Sequence, residues 1–194
     1  TYRAQYAWWL LYRSINNINN VLANVDDAEG TDQEKNNIKG EALAMRAYAY
    51  FELVNTYAPT YNLGTSLPGV PIYLAPTTAS TKGNPRATVG EVYSQIVADL
   101  TASGQLISTS RTSKSYFNSN VVDGLFARVY LTMGDYAKAA IHANLARQGF
   151  SLMSESEWES GFNDIANPEW MWGQDNTSLE NPDWGGAAGN LDTE

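Results

Sequence analysis

Apolar residues return every three or four positions along most of the first 150 residues, and that period organises the chain into helices. In Glu41 to Tyr57, EALAMRAYAYFELVNTY, the positions Ile38, Ala42, Met45, Ala49, Leu53 and Thr56 fall on one face, and the run has neither Gly nor Pro. The spacing predicts a core helix of about four to five turns. Ala42, Ala44, Ala47 and Ala49 let a second backbone approach closely, while Tyr48, Tyr50, Phe51 and Tyr57 supply bulk on adjacent faces.

Upstream, Trp8, Leu11, Tyr12, Ile15, Ile18, Leu22 and Val25 keep one face as far as Asp26-Asp27, which predicts a first long helix. Its other face carries Asn16, Asn17 and Asn20. Because Asn has middling helix propensity, tertiary contacts must hold it, and Asn20 is expected to be a hydrogen-bonded packing residue. The polar link Asp26 to Asn37 offers Thr31 or Asp32 as the next cap. Thr88-Val89-Gly90-Glu91 has the form of a capping box, so a helix starts at Val89, with Val92, Ile96 and Leu100 inward and Glu91 and Asp99 outward. After a Ser/Thr-rich link at Ser108 to Ser115, two stripes follow: Val121, Leu125, Val129 and Met133, then Tyr136, Ala139, Ala140 and Ala143. Gly134 ends the first helix and Asp135 caps the second.

Two segments break this texture. Ala58 to Ala87 holds five prolines and three glycines, a Pro/Gly-rich insertion in which only Val70 to Leu74 suits an extended piece. A connection so long is expected to be functional or mobile. The second is residues 150–194, an acidic, Trp-rich loop segment.

Helix, Gly-Asp-Tyr turn, alanine-studded helix is the layout of a tetratricopeptide hairpin, which cannot bury its face alone and needs neighbours to stack on. The expected fold is therefore mainly α: tetratricopeptide-like helical hairpins with long irregular loops and a few short strands. In order and spacing, WWLLYRSINNINNVLANV, KGEALAMRAYAYFELVNTY, GVPIYL, ATVGEVYSQIVADL and GLFARVYLTMGDYAKAAIHA resemble the SusD/RagB family of outer-membrane, glycan-binding lipoproteins. The resemblance runs from about Trp8 to Trp172. It implies a single SusD-like domain over 1–194, part of a longer protein whose lipid anchor lies outside this chain. It also implies a non-catalytic role at the cell surface: capture of oligo- or polysaccharide and delivery to a TonB-dependent, SusC-like transporter. A helical-repeat adaptor or importer subunit for protein or peptide is the alternative.

Composition narrows the partners. The net charge is −9, and residues 150–194 carry 10 acids without Lys or Arg while the rest is nearly balanced, 11 acids against 12 bases. Such an acidic tail disfavours nucleic-acid phosphates and anionic lipid surfaces. With no Cys and one His, His142, thiolate sites and His clusters cannot form. No cofactor is implied, and no D-x-D-x-D-G spacing marks a Ca2+ loop.

A neutral sugar asks for a flat aromatic platform beside amide and carboxylate hydrogen-bonders. Trp184 in ENPDWGGAAGN, flanked by Asn181 and Asp183, offers these in one loop, unless its ring folds back as a hydrophobic plug. Trp8 and Trp9 point about 100° apart on their helix, and Trp9, off the stripe, is the one left for ligand or partner. Trp170-Met171-Trp172 alternates like a short core strand. The acids Glu155, Glu157, Glu159, Asp175 and Asp183 carry no acid-base signature, and Arg46 is expected to pair with a carboxylate inside the core.

Overall fold

The computed structural model describes residues 2–162 and 164–174. Two compact units result: residues 1–112 with 116–149, and residues 113–115 with 150–194.

The first unit is built from α1 (Tyr2–Asn24), α2 (Asp32–Tyr57), α3 (Val89–Leu106), α4 (Ser119–Met133) and α5 (Tyr136–Ala146). They stack in chain order, α1 on α2, α2 on α3, α3 on α4 and α4 on α5. Local chemistry sets their starts. Thr31 and Thr88 each accept from the backbone N–H three residues on, while Glu34 and Glu91 reach back to the cap N–H, closing two capping boxes. Asn118 caps α4, Gly134 (φ 80°) takes the left-handed turn, and Asp135 caps α5.

On α1 the predicted face is the buried one: Ile15 and Ile18 are enclosed, as is Val25 in the 3-10 turn that follows, and Trp8, Leu11, Tyr12 and Leu22 are half-buried. On α2 the single stripe gives way to a broader band. Ala44, Ala47, Tyr50, Phe51 and Val54 are buried along with Ala42, Ala49 and Leu53, whereas Ile38, Met45 and Thr56 face solvent. A helix held between two neighbours hides two faces, and its small residues set how near those neighbours come. At Gly40 a Cβ would stand 3.0 Å from both N and Cβ of Ile107, and Ser103 Oγ donates to the Gly40 carbonyl over 2.6 Å.

Asp99 corrects the α3 pattern: it is buried, not outward. Its carboxylate takes Arg46 Nε at 2.8 Å and Arg46 Nη2 at 2.7 Å, while Arg46 Nη1 reaches Asn19 Oδ1 at 2.8 Å. Arg46 thus has the structural carboxylate partner its position called for. The packing amide on α1 is Asn19, 1% exposed, whereas Asn20 faces solvent and donates only to the Asn16 carbonyl.

In the α4–α5 hairpin His142 stacks on Phe126 (centroids 4.5 Å apart) and its Nδ1 lies 2.7 Å from Asp123. The buried residues of α5 are Ala139 and Ala146, with His142 half-buried between them. Tyr136, Ala140 and Ala143 lie in solvent, contrary to the predicted stripe. His142 fills the slot against α4, while the predicted stripe lines an open groove with Ala127, Arg128 and Leu131 of α4.

No strand occurs among the described residues; Pro68 and Thr88 form an isolated antiparallel bridge. Residues 58–87 are nonetheless ordered. After a single 3-10 turn at Tyr61–Leu63 the chain runs extended, and side chains of the helices take its backbone: Tyr12 Oη donates to Pro71 O (2.7 Å), Asn19 Nδ2 to Tyr73 O and Ala75 O, and Tyr50 Oη to Tyr73 O. Prolines cannot fill a ladder, so side chains do the pairing instead. Val70 is fully enclosed.

In the second unit, α6 (Glu155–Glu159) is capped by Ser154 with Glu157 in a third capping box. Trp170–Trp172 forms no strand; the Trp172 indole N–H donates to Ser115 O at 3.2 Å and the Lys114 ammonium to Asn167 O. None of the described helices is long and apolar enough to cross a membrane.

Candidate functional site

Of the four residues singled out for ligand, only Trp9 lies within the described chain; Trp184, Asn181 and Asp183 fall outside it. Trp9 stands on the outer side of α1, 51% exposed, with the Arg13 guanidinium 5.0 Å above its ring and Tyr6 beside it. Trp158 and Trp172 are also exposed, and Trp170 is half-accessible at most. Glu157 is committed to its capping box, which holds its carboxyl below the usual range through the Ser154 N–H and hydroxyl. Among the described residues no group of three acids or imidazoles could hold a metal ion.

The structure places a defined concavity one helical turn inward from Trp9. Trp8, Tyr12, Ile15 and Asn16 of α1 form one wall; Pro71, Tyr73, Thr77, Thr78 and Thr81 of the proline-rich segment form the other, around about 280 Å³. Helical spacing explains the first wall, since residues 8, 12, 15 and 16 project from one face. Alternation explains the second: along extended backbone Pro71 and Tyr73 face this cleft, while Ile72 and Leu74 line a wider groove of about 1170 Å³ on the far side.

The walls are stiff. The Trp8 ring packs 4.8 Å from Tyr12 and edge-on to Tyr57 at 4.9 Å, and Tyr12 meets Tyr73 edge-on at 5.9 Å. Asn16 Oδ1 accepts from both N (2.7 Å) and Oγ1 (2.9 Å) of Thr77. Tyr73 N–H donates to Tyr50 Oη, and Tyr73 Oη accepts from Asn84 N. Burial pushes the Tyr12 phenol well above its ordinary range and Tyr50 up to about 12, so both remain hydrogen-bond donors across the physiological range.

None of the described residues lining the cleft is charged. Two side-chain donors of its lining residues have no hydrogen-bond partner among the described residues: the Trp8 indole Nε1–H and the Asn16 Nδ2 amide. The site can therefore hold a small neutral ligand with an apolar face and hydroxyl groups. The signal in the sequence was the α1 stripe itself. Trp8 and Tyr12 lie on that stripe, and only the fold of residues 71–81 shows that they also line a cavity.

Stacked α-hairpins with an extended, hydroxyl-rich segment pinned across the first two helices define a helical-repeat fold. Residues 1–131 match the SusD-like family described as starch-binding and associating with the outer membrane, and the chain belongs to that family. A SusD-like carbohydrate-binding protein from Bacteroides vulgatus is 36% identical, with a TM-score of 0.84 over 90% of this chain and 37% of its own. A SusD superfamily protein from Bacteroides thetaiotaomicron is 28% identical, with a TM-score of 0.78 over 85% of this chain and 37% of its own. A laminarin-binding SusD-like protein, 24% identical with a TM-score of 0.64 over 77% of this chain and 31% of its own, shares the fold. No curated protein matches the chain in sequence. The chain spans a little over a third of the length of the first two solved relatives.

Proposed function

We propose that this chain is part of a cell-surface protein that captures oligo- or polysaccharide and hands it to a TonB-dependent, SusC-like transporter, acting without chemistry. The observation that carries the reading is the uncharged cleft of Trp8, Tyr12, Asn16, Tyr73 and Thr77, whose aromatic wall and free donors suit a sugar's C–H face and hydroxyls. Membership of a family described as starch-binding supports it. Trp9 on the outer side of α1 belongs to the same proposal, as do Trp184, Asn181 and Asp183, which lie outside the described residues. Anchoring in the outer membrane through a lipid outside this chain belongs to the same proposal.

Affinity gel electrophoresis against starch, laminarin, xylan, mannan and galactan tests it. Retardation by at least one, weakened by Trp9→Ala or Trp184→Ala, is expected; no retardation by any of them would refute glycan capture. The second reading, a docking surface for protein, is favoured by one feature: Tyr6, Trp9 and Leu10 are exposed together on α1 beside Arg13, a composition typical of interface hot spots. It predicts that Trp9→Ala lowers transporter association and leaves glycan retardation intact.

A further inference from the structure

Resting on the glycan reading above, we infer that the α1 cleft takes one neutral sugar ring, end-on, as a terminal or branch unit, and is not a groove along which a glycan chain lies. Size is the first reason. At roughly 30 Å³ per water, its 280 Å³ holds about nine water volumes, room for one pyranose with its substituents and not for a second. The far side of residues 72–74 shows what the other case looks like: that groove, with about 1170 Å³, is some four times larger.

The wall chemistry is the second reason. Trp8 supplies a ring for the C–H face, its Nε1–H and the Asn16 Nδ2 supply donors without partners among the described residues, and Thr78 and Thr81 supply hydroxyls at the rim. Ile15, 1% exposed, lines the cleft on its buried side, and on this reading the ring enters, and its chain leaves, by the open side. A set of fixed donors around a single ring discriminates between sugar epimers by which hydroxyl meets which donor, because a buried donor left unpaired is costly.

The test uses methyl glycosides of glucose, galactose, mannose and xylose, in both anomers, as single-ring probes, followed by tryptophan fluorescence and by saturation-transfer NMR. At least one should bind in the millimolar range and displace the polysaccharide retained in electrophoresis. Trp8→Phe keeps an aromatic platform and removes the indole donor; it should weaken that glycoside by about threefold to tenfold, the effect of one hydrogen bond. Asn16→Asp keeps the acceptor that holds Thr77 and converts the free donor to an acceptor, so it should reorder preference among the epimers, and it stands in if Trp8→Phe fails to fold by circular dichroism. Polysaccharide binding with no single-ring binding, or single-ring binding indifferent to both variants, overturns the end-on cleft and leaves glycan capture standing. Absence of binding by polysaccharides and glycosides alike removes both.

Discussion

Replacing Asp99 with Asn should cost about 3–5 kcal/mol of stability, the range for leaving one partner of an enclosed ion pair uncompensated. The carboxylate and the Arg46 guanidinium are 3% and 7% exposed, joined by two bonds of 2.7 and 2.8 Å, and Gln95 Nε2 adds a third donor to Asp99 at 2.9 Å. An amide keeps the shape but turns one oxygen into a donor that faces the guanidinium, so the cation is left among α1, α2 and α3 without its counter-charge and with one of its three acceptors gone. Asn19 transmits the damage, because its Oδ1 holds Arg46 and its Nδ2 holds the carbonyls of Tyr73 and Ala75. The cleft wall should loosen with the core. Urea unfolding followed by circular dichroism gives the loss from the midpoint and slope, and hydrogen exchange at residues 73–78 reports the loosening. The double replacement Arg46→Met with Asp99→Leu removes both charges and should recover much of the loss. A single Asp99→Asn cost below about 1 kcal/mol, the range of exposed pairs, would show that this pair is solvated and would refute the reasoning.

Three further outcomes follow from local geometry. Thr31→Ala, removing the hydroxyl that accepts from Glu34 N, should cost about 1 kcal/mol in the same unfolding assay, and Glu34, held below the usual carboxylate range by Thr31, should titrate upward by NMR. Gly40→Ala drives a methyl into Ile107 at 3.0 Å and should cost about 1–3 kcal/mol; a neutral result would mean that the end of α3 can move aside. Burial raises Tyr50 and Tyr93 to about 12 from an unfolded value of 10, so above pH 10 the unfolded chain sheds protons first. Stability should hold below pH 10 and fall between pH 10 and 12, by about 2 kcal/mol for each group, readable as a drop in urea midpoint across that window.

Much of the helical frame is visible in residue spacing, because the apolar stripes of α1 and α3 do mark buried faces, and the capping box at Thr88 and the turn at Gly134-Asp135 are written in adjacent residues. What spacing hides is decided by distant partners. Asp99 looks like a surface acid until Arg46 arrives from another helix. Asn19 and Asn20 are indistinguishable as letters, and only the carbonyls of Tyr73 and Ala75 choose between them. His142 takes an aromatic slot on α4 that a count of apolar residues does not anticipate. The cleft is hidden for the same reason: its second wall comes from residues 71–81, whose path depends on hydroxyl and amide groups of α1 and α2. Trp9, by contrast, lies off the α1 stripe and is exposed, as the 100° step between adjacent helical residues requires.

The proline-rich wall is tied down through its main chain. Gly69, Pro71, Tyr73 and Ala75 are gripped by their carbonyls and Thr77 by its amide, with the gripping groups seated on Arg86 and on the first two helices. Side chains along this wall can be exchanged without releasing any of those grips, so mutation can rewrite what the wall displays while the trace beneath stays put. On the glycan-capture reading, a change of ligand would need only point changes there, with no rebuilding of the stack.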